Sequence, residues 1–129
     1  MTTAGERFAH ALGRKDLEAL SALLADPIDF QALTPRRHWQ AASGRQVAEE
    51  IIFKHWFGAG ADILELCSVS TGRVSQREHV AYRLRVHRTG GDHLVEQQAY
   101  YSTEGGRISW MRVLCSGYLP DQQGRRAAG

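Results

Sequence analysis

The chain has 129 residues, of which 43% are hydrophobic and 23% charged, and its formal net charge at pH 7 is +2. This composition excludes a disordered chain, and so small a net charge argues against the concentrated basic stripe that nucleic-acid binding uses. There is no run of 18 apolar residues and no apolar signal-peptide core near the start, so we predict a cytoplasmic protein that binds neither nucleic acid nor a membrane.

The first predicted elements are two amphipathic helices. Thr3 and Glu6 have the spacing of a capping box, and apolar residues then recur on one face. Asp16 caps a second helix with a leucine stripe, which we expect to end at Asp26-Pro27. The beginning of the chain is therefore predicted to be helical.

A short strand and a third helix follow. Residues 28–32 alternate between apolar and polar, which predicts a short strand. Ser43 and Gln46 have capping spacing and open the third helix, and we expect Gly58 and Gly60 to end it. The residues between the strand and this helix are predicted to be a long connection.

After Gly60 the hydrophobic period changes from helical to alternating. Four strands are predicted, and the last three are joined by glycine-containing hairpin turns; they span residues 63–69, 79–87, 94–102 and 107–116. The order predicts one α+β domain at residues 1–120, with three N-terminal helices on a curved antiparallel sheet. Residues 121–129 are predicted to be a flexible polar tail.

This order and several local features resemble the nuclear-transport-factor-2-like superfamily, in its SnoaL-like branch, to which the ketosteroid isomerases are related. The features are the helical stretch 12–24 with its Gly13–Leu17 junction, the Ala25–Pro27 helix end and the hairpin at Glu104–Ile108. The resemblance covers about residues 6–120. It implies a cone-shaped α+β barrel with a largely apolar pocket between helices and sheet, and it leaves the activity open because this scaffold hosts many functions.

The resemblance also shows which catalytic groups are missing. Where ketosteroid isomerases have an oxyanion-hole tyrosine, a general-base aspartate and a protonated aspartic acid, this chain has Phe8, Ala32 and Gln98. Phenylalanine donates no hydrogen bond and alanine moves no proton, so isomerisation by that machinery is not expected. The arginine–x–aspartate strand motif of limonene epoxide hydrolases is absent as well.

The family alignment and strand alternation together predict the lining of the pocket. Trp39, in the long connection, is predicted to cover the pocket mouth, with a simple hydrophobic plug as the alternative. The predicted ligand-binding residues are Phe8, Phe30, Trp39, Trp56, Tyr82, Leu84, Gln98, Tyr100, Met111, Val113 and Cys115.

Glu96 and His55 are the candidate catalytic residues. Glu96 is predicted to share the pocket face with Gln98, and a carboxyl group on an apolar wall loses hydration, which suits it to acid–base work. The alternative is a structural Glu96, hydrogen-bonded to a helix residue such as His55 or placed at a wet rim. His55, beside Trp56, faces the pocket or is simply a core or rim histidine.

No metal or cofactor site is predicted. No two of the six histidines lie two to four residues apart, which leaves no local pair of metal ligands. Cys67 and Cys115 lack CxxC spacing and are interpreted as small buried hydrophobes. No nucleophile elbow and no phosphate-binding glycine loop occurs.

The other face of the sheet combines arginine with aromatic residues, which is typical of the middle of a protein interface. An RNA-binding surface could use the same residue types. Since relatives in the resembled superfamily pair through this face, we predict a homodimer, with an interface that includes Arg83, Arg85, Tyr101, Trp110 and Arg112.

Two functions follow from these observations. The first is a non-catalytic pocket or dimerisation module that binds a small hydrophobic molecule, or only a partner protein, which the missing isomerase groups favour. The second is an enzyme of isomerase, cyclase or dehydratase type that uses Glu96 as general acid or base on a polyketide- or terpenoid-like substrate.

Overall fold

The computed structural model describes residues 2–121, so the predicted tail lies outside the described residues apart from Asp121. No helix in this part of the chain is long and apolar enough to cross a membrane. The third helix begins as α3 (Gly44–Gln46) and continues directly as a π-helical segment, Val47–Trp56. The elements in chain order are α1 (Ala4–Gly13), α2 (Leu17–Ala22), β1 (Leu24–Thr34), β2 (Arg37–Ala41), α3 (Gly44–Gln46), β3 (Asp62–Val74), β4 (Arg77–Arg88), β5 (Gly91–Glu104), β6 (Arg107–Cys115) and β7 (Leu119–Pro120).

The three predicted helix starts are confirmed by their capping hydrogen bonds. The backbone N–H of Glu6 donates to Thr3 Oγ1 at 3.1 Å, and its carboxylate accepts from the Thr3 backbone N–H at 3.1 Å. The side chain of Asp16 caps α2 at 3.0 Å, and Ser43 Oγ accepts from Gln46 N at 3.3 Å. Each cap satisfies a backbone donor that the first helical turn leaves unpaired.

The region between α2 and α3 contains more strand than the sequence predicted. Helix α2 ends at Ala22, and Leu24 already belongs to β1, which is eleven residues long. The predicted long connection contains β2, which forms an antiparallel hairpin with β1. The Trp39 indole N–H donates to Thr34 Oγ1 at 2.8 Å and so links the two strands beside their turn.

The described strands form one sheet of seven strands in the order β2-β1-β6-β5-β4-β3, with β7 paired to β5. Neighbouring strands are antiparallel except β1 and β6, which run parallel. The prediction of a fully antiparallel sheet is therefore wrong. Parallel pairing needs a long connection between the two strands, and the third helix with β3, β4 and β5 supplies it.

One face of the sheet packs against the helices and forms the core. The residues of β4 that were predicted to face the helices do so. They are all buried: Val80, Tyr82, Leu84 and Val86. Met111 and Val113 on β6 are buried as predicted. The helices cover this inner face, and the opposite, outer face has no helix against it among the described elements.

Strand β5 has the opposite phase to the one predicted. Its buried residues are Val95, Gln97, Ala99 and Tyr101, while Glu96, Gln98 and Tyr100 are exposed on the outer face. The reason is the register with β4, in which Tyr82 lies opposite Gln97 and Leu84 opposite Val95. Since directly opposed residues share a face, the inward phase of β4 fixes that of β5.

Tyr101 was predicted to lie in an outer-face interface, and this is wrong. Its side chain is buried, and its hydroxyl oxygen accepts a 2.8 Å hydrogen bond from the backbone N–H of Gly5 in α1. Tyr101 therefore joins the sheet to the first helix instead of facing a partner.

Candidate functional site

A cavity of about 160 Å³ lies where the end of the π-helical segment meets the β1–β2 hairpin, β5 and the residues after β6. The lining residues come from separate parts of the chain that the fold brings together: Thr34, Trp39, His55, Trp56, Phe57, Val95, Gln97, Cys115, Gly117 and Tyr118. We treat this cavity as the candidate binding site because concave, mostly apolar sites are where small molecules bind.

Aromatic rings form much of the cavity wall. The Trp39 and Trp56 rings meet edge to face with centroids 6.1 Å apart, and the exposed His55 ring lies 5.2 Å from Trp39. The Arg37 guanidinium lies 3.6 Å from the Trp39 ring centroid. These contacts and the Trp39–Thr34 hydrogen bond hold Trp39 and His55 at the cavity rim.

Tyr118 forms another part of the wall, packed edge to face on Phe57 at 6.2 Å. Its hydroxyl donates to the backbone carbonyl of Trp56 at 2.6 Å, and the Arg88 guanidinium lies 3.8 Å from its ring centroid. Burial raises the pKa of Tyr118, which keeps this donor protonated. The residue therefore ties the chain after β6 to the end of the third helix.

Gln97 on β5 contributes a polar side chain to the cavity lining, and this residue is only 1% exposed. Tyr82 Oη donates to Gln97 Oε1 at 2.5 Å. Burial raises the pKa of Tyr82 well above its ordinary value, so the hydroxyl remains a donor and the amide oxygen remains its acceptor. The amide nitrogen of Gln97, Nε2, has no hydrogen-bond acceptor among the described residues.

Two buried hydrogen-bond donors of the lining have no acceptor among the described residues. They are Gln97 Nε2 and Trp56 Nε1. Buried polar atoms are nearly always paired, because an unpaired one costs about 1–3 kcal/mol. Both residues line the same cavity with other atoms, while these two nitrogens are themselves buried away from the accessible surface.

Four predicted site residues meet at this cavity: Trp39, His55, Trp56 and Cys115. Tyr82 lies behind them, in contact with Gln97. The other inward residues are placed in the core around the cavity but do not line it. They are Phe8, Phe30, Leu84, Met111 and Val113.

Glu96 lies on the outer face, and the prediction that it faces the pocket is wrong. Its carboxylate binds the Arg83 guanidinium, with Nε and Nη2 at 2.8 and 2.7 Å, and its side chain is 47% exposed. Gln98 and Tyr100 lie on the same outer face, and both contact His79. Gln98 Oε1 is 3.0 Å from His79 Nε2, and the ring centroids of His79 and Tyr100 are 4.8 Å apart. None of these three outer-face side chains lines the cavity.

The sequence contained a signal for the missed residue Gln97. Val95 and Ala99 are apolar and alternate with Glu96 and Gln98, so binary patterning alone puts Gln97 on the inward face. The family alignment instead placed Gln98 inward, one residue out of phase. Tyr118 gave no such signal, because it follows the last long strand in a segment without a regular period.

No group of three or more histidine, cysteine or acidic side chains within residues 2–121 is placed to hold a metal ion. Cys115 lines the cavity, and its sulfur accepts from the Gly117 backbone N–H at 3.3 Å. Cys67 is exposed on β3, so its prediction as a buried hydrophobe is wrong.

No family model and no curated protein matches the sequence. Solved structures do match. A nuclear-transport-factor-2-like protein from Burkholderia thailandensis has 14% identity and a TM-score of 0.67, with 90% of this chain and 92% of that chain covered. A proposed polyketide cyclase from Pseudomonas putida has 15% identity and a TM-score of 0.65, with 94% and 96% covered.

A third similar structure is a protein of ketosteroid-isomerase-like fold from Catenulispora acidiphila in complex with trimethylamine. It has 15% identity and a TM-score of 0.60, with 89% of this chain and 88% of that chain covered. These matches confirm the predicted fold: the chain has a nuclear-transport-factor-2-like, ketosteroid-isomerase-like fold.

Proposed function

We propose that this protein binds a small, mostly apolar molecule in the cavity lined by Trp39, Trp56, Gln97 and Tyr118. The observation that carries the proposal is a cavity of mostly apolar lining whose aromatic wall is assembled from separate parts of the chain. The volume of about 160 Å³ suits a molecule of about one substituted ring, since apolar cavities of roughly 150 Å³ take up benzene.

Similar structures support a binding role for this protein. The Catenulispora acidiphila protein is a complex with a small molecule, and the Pseudomonas putida protein is a proposed polyketide cyclase. The alternative function, acid–base catalysis by Glu96, loses its catalytic group because the carboxylate lies on the outer face. His55 is at the cavity rim, where its predicted catalytic role remains a prediction.

Calorimetric titration with ethylbenzene tests the proposal. We expect binding to the unchanged protein and its loss in Cys115→Phe, because the larger side chain fills the cavity. Cys67→Phe is the matched control, since Cys67 is exposed and does not line the cavity. Equal binding by both variants, or no binding by the unchanged protein, would contradict the proposal.

We further propose that a second copy of the chain covers the outer face. Leu33 and Leu114 lie opposite each other on neighbouring strands and are 53% and 58% exposed. With the exposed Tyr100 and the half-buried Trp110, they form what we call the outer patch. Clustered exposed apolar side chains of this kind mark interaction surfaces.

Charges around the outer patch favour a second copy as its partner. Arg112 binds Asp29 at 3.1 Å, and Arg83 binds Glu96, so both signs of charge occur on the same face. A two-fold symmetric contact packs a surface against the same surface of a second copy. A mixture of positive and negative side chains allows this without net electrostatic repulsion. Trp110 lies between the Arg77 and Arg112 guanidinium groups, 3.6 and 4.4 Å from its ring centroid.

A further inference from the structure

A second hollow, of about 430 Å³, adjoins the aromatic cavity, and we call it the rim hollow. The cavity and the rim hollow share three lining residues, which are His55, Trp56 and Tyr118. The rest of the rim hollow is formed by the loop after the third helix and by the end of β4 with the residue that follows it: Gly58, Gly60, Ala61, Arg88 and Thr89. A ligand whose ring lies in the cavity can therefore extend a substituent into the rim hollow.

Basic groups surround the rim hollow. The His55 imidazole and the Arg88 guanidinium belong to its lining, and neither the cavity nor the rim hollow has an acidic residue among its described lining residues. The Lys15 ammonium donates to the backbone carbonyls of Gly58, at 2.8 Å, and Ala61, which both line the rim hollow. The charges at this place therefore favour an anionic group over a cationic one.

Arg88 is the basic group whose position is fixed against the shared wall. Its guanidinium carbon lies 3.8 Å from the ring centroid of Tyr118, and the residue is exposed. A guanidinium that lies over an aromatic ring makes this contact with its flat face, which leaves its in-plane N–H donors available to a ligand. Because Arg88 is exposed, these donors are accessible without a rearrangement of the fold.

Other arginines of β4 provide an internal comparison. Arg83 binds the carboxylate of Glu96 at 2.7 Å, and Arg85 binds that of Glu65 at 3.0 Å. Arg88, at the end of the same strand, forms no ion pair with an acidic side chain of residues 2–121. Its position beside the cavity is thus the one on this strand where an arginine is without a protein carboxylate.

We propose that the ligand is an aromatic carboxylate whose ring occupies the aromatic cavity and whose carboxylate group is bound by Arg88 in the rim hollow. This inference rests on the proposed binding function and narrows it to one ligand class. One guanidinium is sufficient, since its planar fork can bind both oxygens of a carboxylate. The exposure of Arg88 leaves the bound carboxylate partly hydrated, so the large cost of burying a charge is avoided.

The test pair is 3-phenylpropanoate and 3-phenylpropanamide, because the two share a ring and a chain and differ in the charge of the terminal group. In calorimetric titrations at neutral pH and low salt, the carboxylate should bind about fivefold more tightly, the upper end of what an exposed ion pair provides. Added salt should reduce this preference, since it screens the pair. The cation 3-phenylpropylammonium should bind more weakly than either.

The matched variants are Arg88→Gln and Arg107→Gln, which change the net charge equally. Arg107 is exposed at one end of β6, and Cys115, at the other end, lines the cavity. Arg88→Gln should lose the preference for the carboxylate, and Arg107→Gln should keep it. Binding of the amide should be nearly unchanged in both variants, which also verifies that each variant is folded.

Three results would overturn the carboxylate inference while ethylbenzene still binds, and they leave the binding function intact. They are equal affinity of the unchanged protein for the two probes, a preference that survives in Arg88→Gln, and a preference lost equally in both variants. Tighter binding of the ammonium probe, or failure of all three phenylpropyl probes beside binding of ethylbenzene, would overturn it in the same way. Failure of ethylbenzene as well would overturn the binding function together with the inference.

Discussion

Gln97 and Tyr82 show how one residue pair defines the polar end of the cavity. The amide of Gln97 is buried among apolar side chains, where it is tolerated because Tyr82 pairs with its oxygen. Glu96, one residue earlier, is an exposed partner of Arg83 and belongs to the other face. A shift of a single residue in strand phase thus exchanges a surface ion pair for a buried hydrogen-bonding group.

Tyr82→Phe should destabilise the protein by about 1–3 kcal/mol, because it leaves the buried Gln97 amide oxygen without its donor. Chemical denaturation measures the change in free energy of unfolding. Tyr100→Phe is the matched control, since Tyr100 is exposed on the outer face, and a change within about 0.5 kcal/mol is expected there. Similar losses in both variants would show that the Tyr82–Gln97 contact does not contribute.

The same pair predicts a dependence on alkaline pH. The pKa of Tyr82 is raised in the folded protein, so the unfolded chain releases this proton first as the pH rises past about 10. Stability supplied by the protonated hydroxyl is present below that pH and is lost above it. The free energy of unfolding should fall as the pH rises above about 10, and less steeply in Tyr82→Phe. Parallel curves for the two proteins would contradict this.

At the scale of elements, local signals predicted the helix starts and the inward phase of β4. The caps at Thr3, Asp16 and Ser43 depend only on residues three positions apart, and strict alternation in β4 is a local pattern. The parallel pairing of β1 with β6 depends on contacts about 80 residues apart, and no local pattern encodes it. Most of the fold was thus predictable, whereas six of the ten residues that line the cavity were not.

The close packing of α3 on β1 leads to a prediction at Gly44. A Cβ atom at this position would lie 2.7 Å from the Ala25 backbone oxygen and 2.8 Å from Leu24 Cβ. Because backbone cannot move aside cheaply, Gly44→Ala should destabilise the protein by about 1–3 kcal/mol. Gly60→Ala is the control, since no atom lies within 4 Å of the added methyl group there. Thermal or chemical denaturation should separate the two variants, and equal stabilities would contradict the close contact.

For the whole molecule, the two faces of the sheet have different proposed roles. The inner face supports the core and the cavity, and the outer face carries the outer patch. Ligand binding and self-association are therefore expected to be separable by mutation.

Leu114→Glu should give monomers in a light-scattering measurement, because it places a charge at the centre of the proposed contact. Leu64→Glu is the matched control: Leu64 is also an exposed leucine, 48% accessible, but lies on β3 outside the outer patch. Ethylbenzene binding should persist in both variants. A monomeric unchanged protein, or a Leu114→Glu protein of dimeric mass, would contradict the dimer through this face.

The central claim, binding within the aromatic cavity, is tested most directly by a heteronuclear NMR titration of the unchanged protein with ethylbenzene. The account predicts that the largest changes occur at cavity residues, namely the Trp39 and Trp56 indoles, the Gln97 side-chain amide and the Tyr118 backbone. Residues of the outer face, such as Glu96 and Tyr100, should change little. Changes centred on the outer face, or none at saturating ethylbenzene, would contradict the claim.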